Sequence, residues 1–231
     1  MMEALRFRHE FKFLCSEAAL QLMENRVKHI CPLDPHVKGR GTYVIRSLYF
    51  DTYDDSCLQE NEMGVDSRKK YRLRIYNGDT DVIKLECKHS RHGMKAKEIC
   101  RVTKEQCEDL IIGKPVGNIK PDQKLLERIV WEKSINLLAP KVIVEYTRTP
   151  YIYPVENTRI TFDRHICSSV DVAVFLDKTI VRRSILPNNV NLLEVKYDKV
   201  LPAAVLDCLT GGQQLQKTSF SKYALCRKYS L

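Results

Sequence analysis

The 231-residue chain carries 38 Lys and Arg against 29 Asp and Glu, a formal net charge of +9, with 44% hydrophobic and 29% charged residues. That composition excludes an intrinsically disordered chain, and no run approaches the roughly 18 consecutive apolar residues of a membrane span. The opening MMEALRFRHEFK is charged where a signal peptide needs an apolar core, so a cytoplasmic globular protein is expected, with no membrane segment of its own. The nine Cys are scattered from Cys15 to Cys226 without a C-x-x-C pair, and read as reduced thiols filling the core.

LRFRHEFKF, residues 5–13, alternates apolar and charged side chains and predicts a strand. Ser16 then caps a helical segment to about His29, with Leu20, Met23 and Val27 on one stripe. After a Pro- and Gly-containing loop, YVIRSLYFD over 43–51 predicts a second strand, and the polar stretch beyond it a connection with a short helical turn. Strands at 69–76, 81–88 and 95–102 follow, separated by Asn77-Gly78 and by His92-Gly93, so they form an antiparallel meander. His89 and His92 flank the second turn and read as solvated.

Thr103-x-x-Gln106 resembles a capping box and opens a helix; a second helix runs from about Asp122 to Leu137. Strands are expected again at 141–149, 159–166, 170–176 and 192–197, with helical structure from about Pro202 apart from a loop at Gly211-Gly212. About eight strands, mostly antiparallel, make an α+β domain or a closed barrel.

Parity is the informative feature. Lys70, Arg72 and Arg74 share one face of their strand and Tyr71, Leu73 and Ile75 the other; Lys84, Glu86 and Lys88 likewise oppose Ile83, Leu85 and Cys87. With Arg6, Arg8, Glu10, Lys12, Arg148, Arg159, Glu194 and Lys196, such faces hold eleven basic residues against three acidic ones, an excess close to the whole net charge. A solvated face usually mixes signs, because like charges on neighbouring strands repel. A polyanion would relieve that crowding, and in a closed barrel the basic residues would line a phosphate-binding lumen.

RHEFKF at 8–13, SLYFDT at 47–52, YRLRIY at 71–76, LECK at 85–88, EYTRTPY at 145–151, LEVKY at 193–197 and FSKY at 220–223 together resemble, in this order, the VTC domain, the polyphosphate polymerase branch of the triphosphate tunnel metalloenzymes. The resemblance implies a single domain over 1–231: an α+β fold built on a closed antiparallel β-barrel of about eight strands, with peripheral helices. It implies an ATP-dependent transferase that adds the γ-phosphate of ATP to a polyphosphate chain, with Mn²⁺ or Mg²⁺ as activator. Its partners would be ATP, orthophosphate and polyphosphate, with no nucleic acid; a membrane-protein partner chain stays open.

By position, the resemblance implies that Lys12, Arg72, Arg74 and Arg148 are catalytic. Lys88, Lys95, Tyr146, Arg159, Lys196, Ser221 and Lys222 would bind phosphate, and Glu194 would hold the metal. Family members often carry a Lys where Ser219 stands, and Lys217 is the nearest replacement. Glu10 and Glu86 are weaker metal candidates, at least as well read as salt-bridge partners.

Two other readings compete. Hydrolytic tunnel enzymes, the triphosphatases and their cyclase relatives, begin with E-x-E-x-K; here Arg8 stands in place of the first Glu, which removes a metal-holding carboxylate and adds a cation for a longer anion. A non-catalytic polyanion-binding sheet is the other alternative, although its aromatic residues mostly share the apolar face, with Tyr146 the main exception.

Overall fold

A computed structural model describes residues 5–37, 39, 41–211 and 215–229. Strand β1 (His9–Ser16) ends where Ser16 caps α1 (Glu17–Val27), its hydroxyl accepting from the Ala19 amide at 3.3 Å. Next come β2 (Tyr43–Asp51) and the short helix α2 (Ser56–Glu62). β3 (Arg68–Tyr76), β4 (Asp79–Arg91) and β5 (Met94–Val102) form the expected meander. Asn77 and Gly78 have φ of 54° and 70°, and His92 and Gly93 of 49° and 72°. Both connections therefore use the paired left-handed residues whose twist suits a two-residue hairpin.

Thr103 and Gln106 form the capping box of α3 (Lys104–Ile112), and α4 (Lys124–Asn136) follows. The chain continues through β6 (Ala139–Tyr153), β7 (Thr158–Ser169), the two-residue β8 (Arg183–Ser184), β9 (Val190–Tyr197), α5 (Ala203–Thr210) and α6 (Lys222–Lys228). The strand expected at 170–176 is instead a 3-10 turn, Ala173–Leu176. Asp171 Oδ1 accepts from the Ala173 amide at 3.2 Å, and this local bond competes with a ladder. Gly212, part of the expected C-terminal loop, lies outside the described residues.

All neighbouring strands pair antiparallel, in the order β1-β9-β7-β6-β2-β3-β4-β5, with β8 beside β7. The sheet curls until its two edges touch at one bridge, where Arg8 and Lys95 exchange N–H···O bonds of 2.9 and 2.8 Å. The expected barrel is thus a curled sheet joined at one corner. Strand twist carries the rest of β1 and β5 apart, so no continuous ladder closes it.

Apolar side chains on the convex side pack under helices. Leu73, Ile75, Leu85 and Cys87 meet Leu110, Leu126 and Ile129 of α3 and α4, while Phe13, Leu193 and Val195 meet Leu20 and Val27 of α1 and Leu209 of α5. A third cluster sits in the concavity itself. There Ile45, Tyr49, Val142, Val144, Tyr146 and Leu192 receive Tyr223, Ala224 and Cys226 of α6, which fills that end of the lumen. Among the described residues no helix is long and apolar enough to cross a membrane.

Candidate phosphate tunnel

Alternation along each strand turns the charged set inward. The concave face encloses a cavity of about 780 Å³ lined, among the described residues, by fifteen Lys and Arg and only two carboxylates, Glu10 and Glu194. All eleven basic residues singled out by parity line it, together with Arg68, Lys95, Lys97 and Lys222. Every residue expected at the site, from Lys12 to Lys222, borders this one space.

Registry sets the charge pattern. Lys12 lies opposite Glu194, and Glu10 opposite Lys196, across β1 and β9, so the two signs form a small checkerboard. Lys12 Nζ is 3.3 Å from Glu10 and 3.9 Å from Glu194; Lys196 Nζ is 3.4 and 3.7 Å from the same pair. Glu10 also accepts from Lys88 at 2.9 Å. Glu194 accepts from Lys222 at 2.9 Å and from Arg148 at 3.1 Å. Behind this layer, fully buried Asp163 holds Arg148 at 2.6 Å and Lys222 at 2.7 Å.

On the opposite wall, Glu86 is fully buried and takes Arg72 at 2.6 Å, Lys97 at 3.0 Å and Arg74 at 3.5 Å. It is a salt-bridge partner there. Arg74 donates to Ser47 Oγ at 3.0 Å, and Arg72 to Tyr49 Oη at 2.9 Å.

Burial alone would raise the carboxyl groups of Glu10, Glu86 and Glu194; the surrounding ammonium and guanidinium groups outweigh it and hold all three well below the usual carboxylate range. The cations respond to their company. Burial drags Lys88 down, because it shares the single Glu10 with Lys12 and Lys196. Asp163 and Glu194 overcome the burial of Lys222 and raise it. Among the described residues Lys70 has only neutral partners at hydrogen-bond distance, Asn61 Oδ1 at 2.6 Å and Ser221 Oγ at 3.4 Å. Burial, then Lys12 and Arg68, bring it down to about 7.

Several lining residues escaped the sequence reading. Tyr43, Ile45 and Tyr49 face inward from β2, a strand buried along most of its length whose pattern does not reveal which side is which. Tyr76 and Tyr223 join them, so aromatic rings enter the cavity more than parity suggested. Arg68 stands one residue ahead of the strand expected at 69–76 and Lys97 two residues beyond Lys95 on the strand expected at 95–102, so extending the alternation from Lys70 and from Lys95 would have found both. Ser219 borders the cavity, whereas Lys217 places its Nζ 3.5 Å from the Phe11 ring centroid on the outside and does not replace the missing Lys. Ser221 caps α6 by accepting from the Ala224 amide at 3.3 Å. Arg8, where hydrolytic relatives have Glu, pairs with Asp198 at 3.0 Å.

The donors fit a hard divalent cation, which takes one or two carboxylates plus phosphate oxygens and water. Glu194 is held well below the usual carboxylate range beside the cations of the lining, with Glu10 as second wall carboxylate.

Among solved structures the chain resembles a candidate adenylyl cyclase from Hippeastrum with a dominant triphosphatase activity: 16% identity, covering 97% of this chain and 96% of that one, TM-score 0.55. It also resembles a candidate adenylate cyclase from Bacillus halodurans, at 13% identity, 85% and 83% coverage and TM-score 0.50. At such identity these likenesses establish the triphosphate tunnel fold alone. No curated protein sequence matches the chain significantly. The family model of the VTC domain matches residues 7–231, and the chain belongs to that family.

Proposed function

We propose that the chain is a divalent-metal-dependent polyphosphate polymerase that transfers the γ-phosphate of ATP to a growing polyphosphate chain. The observation that carries this reading is the lining: fifteen cations against two carboxylates around one cavity. Phosphoryl transfer needs little covalent work from a protein, so alignment and neutralisation of charge supply most of the acceleration.

Arg72 and Arg74 of β3, Arg148 of β6 and Lys12 of β1 come from three strands and can grip the transferring group from several sides. Arg supplies forked donors that match phosphate oxygens, and Lys a compact charge. Lys88, Lys95, Arg159, Lys196 and Lys222, with the hydroxyls of Tyr146 and Ser221, hold the flanking phosphates. Without ligand, Glu10, Glu86, Glu194 and Asp163 balance these cations; an incoming polyanion takes over part of that role. Glu194 would hold Mn²⁺ or Mg²⁺, which screens phosphate charge when bound. ATP as donor fits a cytoplasmic site of action, and any coupling to export would need a membrane-protein partner chain.

Arg8 favours polymerase over hydrolase. It contributes a guanidinium where a hydrolytic tunnel offers a metal-binding carboxylate, so the wall suits a longer anion and a sparser metal site. Incubation with ATP and Mn²⁺ tests this directly: long-chain polyphosphate is expected, and orthophosphate released without it would establish the hydrolase reading instead.

A further inference from the structure

We infer that Cys87, His89 and Glu98 form a zinc site on the convex face of the sheet, separate from the tunnel. In β4 the sequence Cys87-Lys88-His89 places the first and third side chains on one face, while Lys88 between them enters the cavity. Glu98 of β5 stands directly opposite Cys87 in the ladder. One ligand atom from each of the three, thiol, ring nitrogen and carboxylate oxygen, lies within 4.8 Å of the other two. A thiolate, an imidazole and a carboxylate are a zinc donor set, and water would complete a tetrahedron.

The fit needs one adjustment. His89 Nε2 and Glu98 Oε1 are 2.5 Å apart, and bonds of about 2.0–2.2 Å to one ion would spread them to roughly 3.3 Å. The Glu98 side chain retains 23% of its exposure and has room to move. Its other oxygen is held by Arg128 of α4, which leaves Oε1 for the ion and orients it. Tyr71, the ladder partner of Cys87 on β3, donates to Glu132 Oε1 at 3.5 Å. Glu132 lies one turn beyond Arg128 on α4.

Cys87 itself has no exposed surface, so an ion arrives from the His89 and Glu98 side and binds as the thiol proton leaves to solvent. The competing account is an ordinary His89–Glu98–Arg128 ion cluster beside an inert thiol. It also explains why His89, which flanks a turn, is largely buried while His92 is exposed.

Titration of the full chain with Co²⁺ separates the two accounts. A site with Cys87 gives a thiolate-to-cobalt charge-transfer band saturating at one equivalent, displaced by Zn²⁺ and lost in Cys87→Ser and His89→Ala. No such band in the wild type, or a band that survives in folded His89→Ala, overturns the site. His89 is less deeply buried than Cys87, so its replacement keeps the test valid if Cys87→Ser fails to fold. The readout is independent of the tunnel, whose lining contains no thiol among the described residues: a protein inactive with ATP that shows the band still has the zinc site.

Discussion

Arg72 grips Glu86 with two nitrogens, Nε at 2.8 Å and Nη2 at 2.6 Å from the same carboxylate oxygen, at the base of the basic wall. Glu86 has no exposed surface and also serves Lys97 and Arg74, so it is the counter-ion for three cations. Neutralising it in Glu86→Gln leaves them facing one another, with Arg72 and Arg74 largely shielded from solvent. Breaking a buried pair typically costs about 3–5 kcal/mol, which for a chain of this size lowers the melting temperature by about 10 °C. Saturating tripolyphosphate should restore most of the loss, since the anion replaces the missing charge. Thermal denaturation with and without it is the check; equal loss in both conditions would mean that the cations do not face the ligand.

Arg72→Ala with Arg74→Ala distinguishes a tunnel from an open basic surface. In a surrounding lining each guanidinium meets a defined phosphate oxygen, and loss of one such donor commonly costs about 10²–10³-fold in rate. The double variant should therefore lose ATP turnover beyond detection at any ionic strength. If turnover persists and only the salt dependence of binding becomes shallower, the residues act as diffuse polyanion contacts.

Lys70 should make ligand binding in the tunnel pH-sensitive. Half-buried, and without a carboxylate at hydrogen-bond distance among the described residues, it has its pKa pulled down to about 7. The charged form attracts phosphate, so tripolyphosphate affinity should fall as pH rises through 7, by up to about tenfold per unit where that charge is essential. Lys70→Arg stays protonated throughout and should remove this part of the dependence. Calorimetric titrations of both proteins at pH 6 and 8.5 share the ligand's own ionisation, which cancels in their difference. Identical pH slopes would exclude Lys70 from the binding site.

Much of this arrangement is written in two-residue periodicity. In β3 and β4 the alternation of Lys70, Arg72 and Arg74 with Tyr71, Leu73 and Ile75 gives the face, and the left-handed pairs at Asn77-Gly78 and His92-Gly93 fix the hairpins that keep those faces aligned. β2 defeats the same logic: apolar residues line both of its faces, so nothing local says that Tyr43 and Tyr49 look into the cavity while Arg46 points outward to Glu145 at 2.6 Å. The seven residues of α6 hold a similar ambiguity, because Lys222 meets Glu194 and Asp163 only after distant strands have curled around it. Local turn chemistry at Asp171 likewise outweighed a plausible strand pattern. Curvature, and the single bridge at which it closes, is a property of the whole sheet and leaves no mark on any one strand.

Glu194 carries the last prediction, because its two proposed roles separate by experiment. As an ion-pair partner it compensates Lys222 and Arg148; as a metal ligand it would also support turnover. Glu194→Gln keeps the shape and a hydrogen-bonding oxygen for Lys222 but loses the charge. Asp163 still holds both Lys222 and Arg148, so the wall should remain folded. Metal-free tripolyphosphate should bind the variant at least as tightly as wild type, since one repelling carboxylate has gone. Turnover of ATP with Mn²⁺ should fall by at least about 10²-fold, the scale of losing one charge-stabilising group, and chelation should make wild type equally inactive. Retained Mn²⁺-dependent turnover in Glu194→Gln would assign the metal to Glu10, the remaining carboxylate on the cavity wall.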